Sequence, residues 1–401
     1  MREFMGYMRP DGSVGTRNYV AVLPSVNCMN DISYQIAAAV PGTVPLCHTH
    51  MCPYEIRDHL KGVDTVSGLG KNPNIHSVLV IGMGCEKVKA AELADMIAVT
   101  GKPVMALEVQ TMGYDEVMEK GIEFLKKCME EAAKEKRVPC PVSGLTFGIK
   151  CGGSGAMSLI SNNAAVGKAS DMLIEEGGSV IFSETPEILG MQDSLAARAV
   201  NEKVAKDVLD LVDRLKAQIE FNGVDLIGSE PNAGNMKSGL TTIEEKSLGA
   251  VAKGGTKPLS GVLEFGAPLP GKGLYFMDCE SAGDPVFAGE TAAGAQLGIM
   301  TIAGGGPGTC GSGFRGMVSN SGSGIRIMPA IKVIGGRKND MDEPYVDVSV
   351  TGIVEGRESI DEAGERVFEK LLSVASGELT YTEKHNKYWA TIPVFRNGLV
   401  V

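Results

Sequence analysis

Val20-Ala-Val-Leu-Pro-Ser-Val-Asn-Cys28, Val78-Leu-Val-Ile-Gly-Met-Gly-Cys85 and Leu145-Thr-Phe-Gly-Ile-Lys-Cys151 each run from an apolar stretch straight into a cysteine, and each is followed by a helical pattern. Short β-branched runs that alternate with longer stretches of helical period imply βα units and a parallel, doubly wound sheet. Strands are expected at 19–23, 77–81, 103–107, 145–149 and 179–183, and helices at 31–40, 87–99, 114–137, 165–175 and 195–219. Further on, strands are expected at 273–277, 296–302 and 331–334, with a last helix over 360–376. The fold class is therefore α/β, with mostly parallel sheets in two or three Rossmann-like domains. The break Val138-Pro-Cys-Pro141 separates an N-terminal unit, 1–140, from a middle unit, 141–255, and a C-terminal unit, 256–401. Asn222 to Gly261 is rich in Gly, Ser, Asn and Thr and reads as an ordered functional loop with a short helix.

In open α/β sheets ligands bind beyond the carboxyl ends of the strands, so the three strand-end cysteines are expected at one sheet edge. Packing alone accounts for any single buried cysteine. Three converging thiols would suit zinc, iron or an iron–sulfur cluster. Cys279 and Cys310 share the pattern more loosely. Cys47-His-Thr-His-Met-Cys52 concentrates soft ligands, but not at the spacing of a closed zinc site, so one His and one Cys of this segment are candidates to complete a site assembled from elsewhere.

The chain has 401 residues, nine cysteines and a formal net charge of −11. No basic, aromatic-interleaved run is present, which disfavours nucleic acid, and an anionic ligand would need local capture rather than a favourable long-range field. No apolar stretch of membrane-spanning length occurs and Met1 to Gly15 lacks a signal-peptide core, so a cytoplasmic protein with free thiols and no membrane partner is expected. The loops at Gly82-Met-Gly84, Gly152-Gly-Ser154 and Gly304 to Cys310 spell neither a dinucleotide fingerprint nor a P-loop, which disfavours nucleotide chemistry. Their backbone N–H groups could hold a carboxylate instead.

Met5-Gly-Tyr-Met-Arg-Pro-Asp-Gly-Ser-Val-Gly-Thr-Arg-Asn18, His48-Thr-His-Met-Cys52, Gly82-Met-Gly-Cys-Glu86, Lys150-Cys-Gly-Gly-Ser154, Ser183-Glu-Thr-Pro-Glu-Ile188, Gly239-Leu-Thr-Thr-Ile-Glu-Glu-Lys-Ser-Leu-Gly249 and Phe395-Arg-Asn-Gly398 together resemble the altronate dehydratase family, nearly end to end. That family also holds galactarate dehydratase and the sulfolactate sulfo-lyase large subunit. The resemblance implies an iron-dependent lyase that removes water from a sugar acid to give a 2-keto-3-deoxy acid, or sulfite in the sulfo-lyase branch. It places Cys28, Cys52, Cys85 and Cys151, with His48 in reserve, around Fe2+ or an iron–sulfur cluster. Lys246, Glu86 and Glu184 are the candidates for the base. Asn235, Thr241, Thr242 and the Gly152-Gly153-Ser154 loop are the candidates for substrate binding, with capping as the alternative role of the threonines and the asparagine.

Two departures from the family pattern fall where substrate would be gripped: Gly155 stands where the family has Asp, and the loop from Gly304 is altered. They leave room for a non-catalytic, metal- or redox-sensing member. The resemblance also implies a separate small subunit supplying the N-terminal domain of the family's fused members, and an oligomer is expected.

Overall fold

The computed structural model describes residues 2–52, 56–224, 230–280, 283–304, 325–336, 346–385 and 391–394. Cys310, the altered loop beyond Gly304 and Phe395 to Gly398 lie outside the described residues.

The chain opens with an antiparallel ribbon, β1 (Glu3–Met8) and β2 (Val14–Gly15), then forms a four-stranded parallel sheet from β3 (Tyr19–Pro24), β4 (Val44–Pro45), β5 (Ile75–Gly82) and β6 (Val104–Glu108), in the order β4-β3-β5-β6. Every residue of β5 is buried, as a run rich in Ile and Val covered on both faces by helices requires. The segment β7 (Val138–Pro141), expected as a break, is a strand that pairs antiparallel with β1. Two prolines suit it to an edge position, where missing N–H donors cost nothing.

Seven strands then build one parallel sheet: β8 (Thr146–Gly153), β9 (Ser179–Ser183), β10 (Leu259–Leu263), β11 (Gly273–Met277), β12 (Leu297–Gly304), β13 (Ala330–Gly336) and β14 (Val348–Ser349), in the order β10-β11-β9-β8-β12-β13-β14. The stretches 141–255 and 256–401 therefore share a sheet. Strand β8 belongs to this second sheet, so the expectation that Cys28, Cys85 and Cys151 end strands of one sheet is corrected: β7 closes the first unit before β8 starts the next.

The helix expected over 195–219 is two, Gln192–Ala196 and Glu202–Asn222. Between them Arg198 and Val200 exchange backbone bonds with Leu259, and the Asn201 side chain caps the second helix by accepting from the Val204 N–H. A helix at Ile56–Lys71 has no counterpart in the sequence reading. It lies so close to the helix Gly283–Ala292 that a Cβ on Gly68 would sit 2.3 Å from the Ala292 carbonyl oxygen. Among the described residues no helix is long and apolar enough to cross a membrane.

The two parallel sheets are joined at the N-terminal ends of their strands by buried amides. Asn74 Oδ1 accepts from the Thr16 and Arg17 N–H groups at 2.7 and 3.2 Å, while its Nδ2 donates to the Gln296 and Ile327 carbonyls at 2.9 and 2.8 Å. Gln296, which precedes β12, accepts from the Thr146 N–H at 2.6 Å and donates to the Val14 and Gly144 carbonyls. Arg17 reaches across to Glu383 with two bonds of 2.7 and 2.8 Å and also donates to the Thr16, Val374 and Glu378 carbonyls.

Each buried backbone group stripped of its partner costs roughly 1–3 kcal/mol. Asn74→Ala strips four backbone groups at once and is expected to cost about 4 kcal/mol in urea denaturation followed by circular dichroism. A loss below about 1 kcal/mol would show that the seam does not hold the sheets together.

Candidate active site

Reading along the seven-stranded sheet, the carboxyl ends of four neighbouring strands carry polar residues. Cys279 follows β11, Glu184 follows β9, Cys151 lies near the end of β8 and Thr301 lies on β12. Glu184 adopts φ 81° and ψ 74°, a left-handed conformation that a residue with a Cβ rarely takes. Such strain persists only where surrounding contacts enforce it, and it concentrates at functional sites.

The enforcing contacts are charges. Glu184 Oε2 accepts from Lys253 Nζ at 2.6 Å and from the Cys151 N–H at 2.9 Å. Lys253 also donates to Glu187 Oε2 at 3.1 Å, Lys246 lies 3.2 Å from Glu187 Oε1, and Lys246 bonds Glu230. The result is an alternating chain, Glu230–Lys246–Glu187–Lys253–Glu184, whose members are all buried. Ions withdrawn from water in this way are tolerable only with such complete pairing, and removing one member strands its neighbours.

The pairing divides the carboxyls. Burial would raise Glu187, but Lys253 and Lys246 outweigh it and hold the group at about 2. Glu184 is raised by burial and then by the Glu187 charge, and Glu230 is raised chiefly by burial. Burial works against the charged forms of both lysines, yet their carboxylate partners overcome it and keep each an ammonium ion at neutral pH. Lys246, proposed from its motif as a base, is thus held protonated. Burial together with the charges of Glu187 and Glu184 pushes the Cys151 thiol up to about 12.

Ser154 Oγ lies 2.9 Å from Cys151 Sγ, and the Ser154 carbonyl accepts from Asn235 Nδ2 at 3.0 Å. Asn235 also completes a capping box with Asn232, so it fixes the 152–154 loop to the helix Ala233–Lys237. Gly152 is needed for close packing: a Cβ there would meet the Met300 side chain at 2.7 Å, and Gly153 lies opposite Ile302 in the register. Thr242 caps the helix Ile243–Ala252 by accepting from the Glu245 N–H at 3.2 Å, and the exposed Thr241 hydroxyl donates to Glu245 at 2.9 Å. Both threonines are therefore engaged in capping. A cavity of about 50 Å³ opens beside this group, with Ser154, Ser158, Asn163 and Lys246 in its lining.

The other candidates gather at the four-stranded sheet. Cys28, in a short turn after β3, and Cys85, after β5, are exposed, and Cys52 is half-buried. Glu86 is buried as a loop brace, accepting from Ser25 Oγ at 2.7 Å and from the Gly84 N–H at 2.7 Å. His48 is fully buried and pushed down to about 4 by that burial; its Nε2 pairs with the Pro24 carbonyl at 2.8 Å and its Nδ1 accepts from the His50 N–H at 3.2 Å. With both ring nitrogens spent on backbone, it presents no lone pair to a metal. Met51, beside Cys52, is a second non-glycine residue at positive φ, 77°.

Among the described residues no three His, Cys, Asp or Glu side chains are grouped so as to hold a metal ion. The structure thus brings Cys151, Ser154, Glu184, Lys246 and Asn235 together, and leaves Cys28, His48, Cys52, Cys85 and Glu86 at a different sheet edge. Lys253, Glu187, Glu230 and Thr301 were not singled out from sequence. Lys253 had a signal: it follows the apolar Leu248-Gly-Ala-Val-Ala252, where a lone lysine on a buried helix face demands an acidic partner.

Residues 142–398 match the family profile described as D-galactarate/Altronate dehydratase, C-terminal, and residues 6–133 match D-galactarate dehydratase/Altronate hydrolase, second domain. The chain is 33% identical to (2R)-sulfolactate sulfo-lyase subunit beta of Chromohalobacter salexigens, over 95% of each chain. It is 30% identical to altronate dehydratase of Bacillus subtilis over all of this chain and 79% of that one. It is 29% identical to galactarate dehydratase (L-threo-forming) of Escherichia coli over 94% of this chain and 73% of that one.

Beneath the site, the fully buried Glu290 accepts from Ser183 Oγ at 2.6 Å, and its burial raises the carboxyl well above the usual range. The folded protein therefore keeps a proton at Glu290 that the unfolded chain releases, and the contribution of this group to stability falls as pH rises past the ordinary carboxyl range, by at most about 1.4 kcal/mol per pH unit. Glu290→Gln is expected to flatten this slope, so that its stability relative to wild type increases from pH 4 to pH 8 in denaturant titrations. A stability difference that does not change with pH would contradict a protonated Glu290.

Proposed function

Because the chain belongs to the D-galactarate/altronate dehydratase family, we propose that it is a hydro-lyase that removes water from a sugar acid to give a 2-keto-3-deoxy acid. The observation that carries this reading is the buried Glu–Lys chain beside the strand ends, in which Glu184 and Glu230 are raised by burial while Glu187 is held ionised between two lysines. Glu184, raised by burial and by the Glu187 charge and salt-bridged to Lys253, is the proton acceptor for the hydrogen α to the substrate carboxylate. Glu230, raised mainly by burial, protonates the departing β-hydroxyl. The C–H electron pair forms the new double bond, the C–O bond breaks, water leaves, and the enol becomes the 2-keto acid. The Lys253 and Lys246 ammonium ions, held charged by their carboxylate partners, would offset the negative charge that develops on the substrate carboxylate.

The iron that the family resemblance implies would lower the acidity barrier by polarising that carboxylate. The described cysteines and His48 do not form a ready cage for it, so no step is routed through iron.

A second reading, elimination of sulfite from sulfolactate, is supported by the 33% identity to the sulfo-lyase subunit. The two differ in the leaving group. Hydroxide needs a proton in order to leave, whereas sulfite departs as a stable anion.

Altronate, galactarate and sulfolactate, each assayed for 2-keto acid anaerobically with and without ferrous iron and in the presence of any co-purifying small subunit, test the proposal. Turnover of a sugar acid is expected, and failure on all three would sink it. Glu184→Gln should lower kcat by about 10²–10⁴-fold with little change in KM. Glu230→Gln should impair loss of water but spare loss of sulfite, so an equal effect on both would remove Glu230 from the acid role.

A further inference from the structure

Thr301 stands where three features of the second sheet coincide. In the strand order, β8 and β12 are neighbours at the point where the chain changes direction: the sheet grows through β9, β11 and β10 on one side of β8, and through β12, β13 and β14 on the other. The helix after β8, Asn162–Glu175, packs against β9, β12 and β13, and the helix before β12, Gly283–Ala292, packs against β8 and β9. A crevice opens at the carboxyl ends of strands at such a reversal, and ligands of open α/β sheets bind there.

Thr301 pairs with Cys151 in the parallel register, so the two side chains emerge on the same face, and the register shifts immediately afterwards, with Ile302 opposite Gly153. A shift of this kind re-aims the strand at its end. Thr301 is also 1% exposed, and its hydroxyl has no hydrogen-bond partner among the described residues. A buried hydroxyl without a partner is costly, and valine would fill the same space without that cost. Packing explains the side chain's shape but leaves its oxygen without a role.

We infer that the Thr301 hydroxyl binds a hydroxyl group of a hydroxy-acid substrate in the crevice beside Cys151, making it a specificity-determining residue. Cys151 and Ser154 already bond each other at 2.9 Å and Glu184 is taken by Lys253, so among the described residues Thr301 is the hydroxyl of this edge left with its hydrogen-bonding capacity intact. This inference rests on the proposed lyase activity and adds to it the group that reads the substrate's polyol portion.

The test compares Thr301→Val and Thr301→Ser in the full-length protein. With the acid that wild type turns over, the Val variant should lose about 10–100-fold in kcat/KM, mostly through KM, while the Ser variant stays within about threefold of wild type. Thermal unfolding of the Val variant without ligand should be unchanged or higher, because the substitution removes an unmet polar group; a purely structural hydroxyl would instead lower it. A Val variant with wild-type kcat/KM, or one less stable than wild type, overturns the inference while leaving the lyase reading intact. Ligand-induced thermal shifts with galactarate, altronate and sulfolactate cover the case of no turnover. A wild-type shift that Thr301→Val reduces supports Thr301 alone, and no shift with any of the three acids sinks both readings.

Discussion

Asn74, Gln296 and Arg17 bury polar groups that must all find partners, and that requirement sets the two parallel sheets in one relative register. Apolar packing is non-directional and would tolerate sliding between the units; a side-chain amide that must meet two backbone N–H groups and two carbonyls does not. The bonds lie at the N-terminal ends of β5, β8 and β12, so the carboxyl ends remain available at the opposite rim. The motif from Met5 to Asn18 is therefore largely structural. Arg9 donates to the Pro73 and Arg17 carbonyls at 2.7 and 2.9 Å, and Arg17 holds Glu383 in the last described helix, Tyr381–Lys384.

At the opposite rim the ordering force is electrostatic. Glu187 sits between two ammonium ions and stays ionised, and that fixed charge helps to raise its neighbour Glu184. Two carboxyls three residues apart thus acquire different proton affinities from one arrangement, the usual way a site obtains a base that works near neutral pH. The left-handed backbone at Glu184 is stabilised by the same bonds, to Lys253 and to the Cys151 N–H. Strain and pairing are one device here: the contacts that hold Glu184 out of its preferred backbone region also aim it along the strand ends.

The alternating pattern made most strands legible: 179–183 and 273–277 coincide with β9 and β11. What escaped was tertiary. Val138-Pro-Cys-Pro141 carries local signals of a break, and only its pairing with β1 makes it a strand. The site was half legible for the same reason. Cys28, Cys85 and Cys151 look equivalent because each ends a strand, yet nothing local tells which sheet a strand joins. Lys246 and Glu184 stood in recognisable motifs. Their roles depend on Lys253, Glu187 and Glu230, which lie up to 69 residues away along the chain and meet only in the folded state.

Charge balance bears on how such a rim could admit an anion. Lys246 and Lys253 pair with Glu184, Glu187 and Glu230, and the buried Lys150, whose Nζ donates to the Cys151 carbonyl at 2.6 Å, adds a third positive charge, so these buried charges cancel when all are ionised, and the whole chain carries −11. A neutral, water-poor cluster inside an acidic protein offers a carboxylate no net attraction. In the proposed reaction the acid must therefore bring a proton with it or meet oriented dipoles. Glu230 is suited to take that proton, because its carboxyl is already raised and Lys246 is shared with Glu187. Binding would then neutralise Glu230 and leave Glu184 ionised, so the arrival of substrate itself would sort the two carboxyls into acid and base. In that reading the unpartnered hydroxyl of Thr301 would supply such a dipole, one that can hold a polyol without adding charge to a cluster that has none to spare.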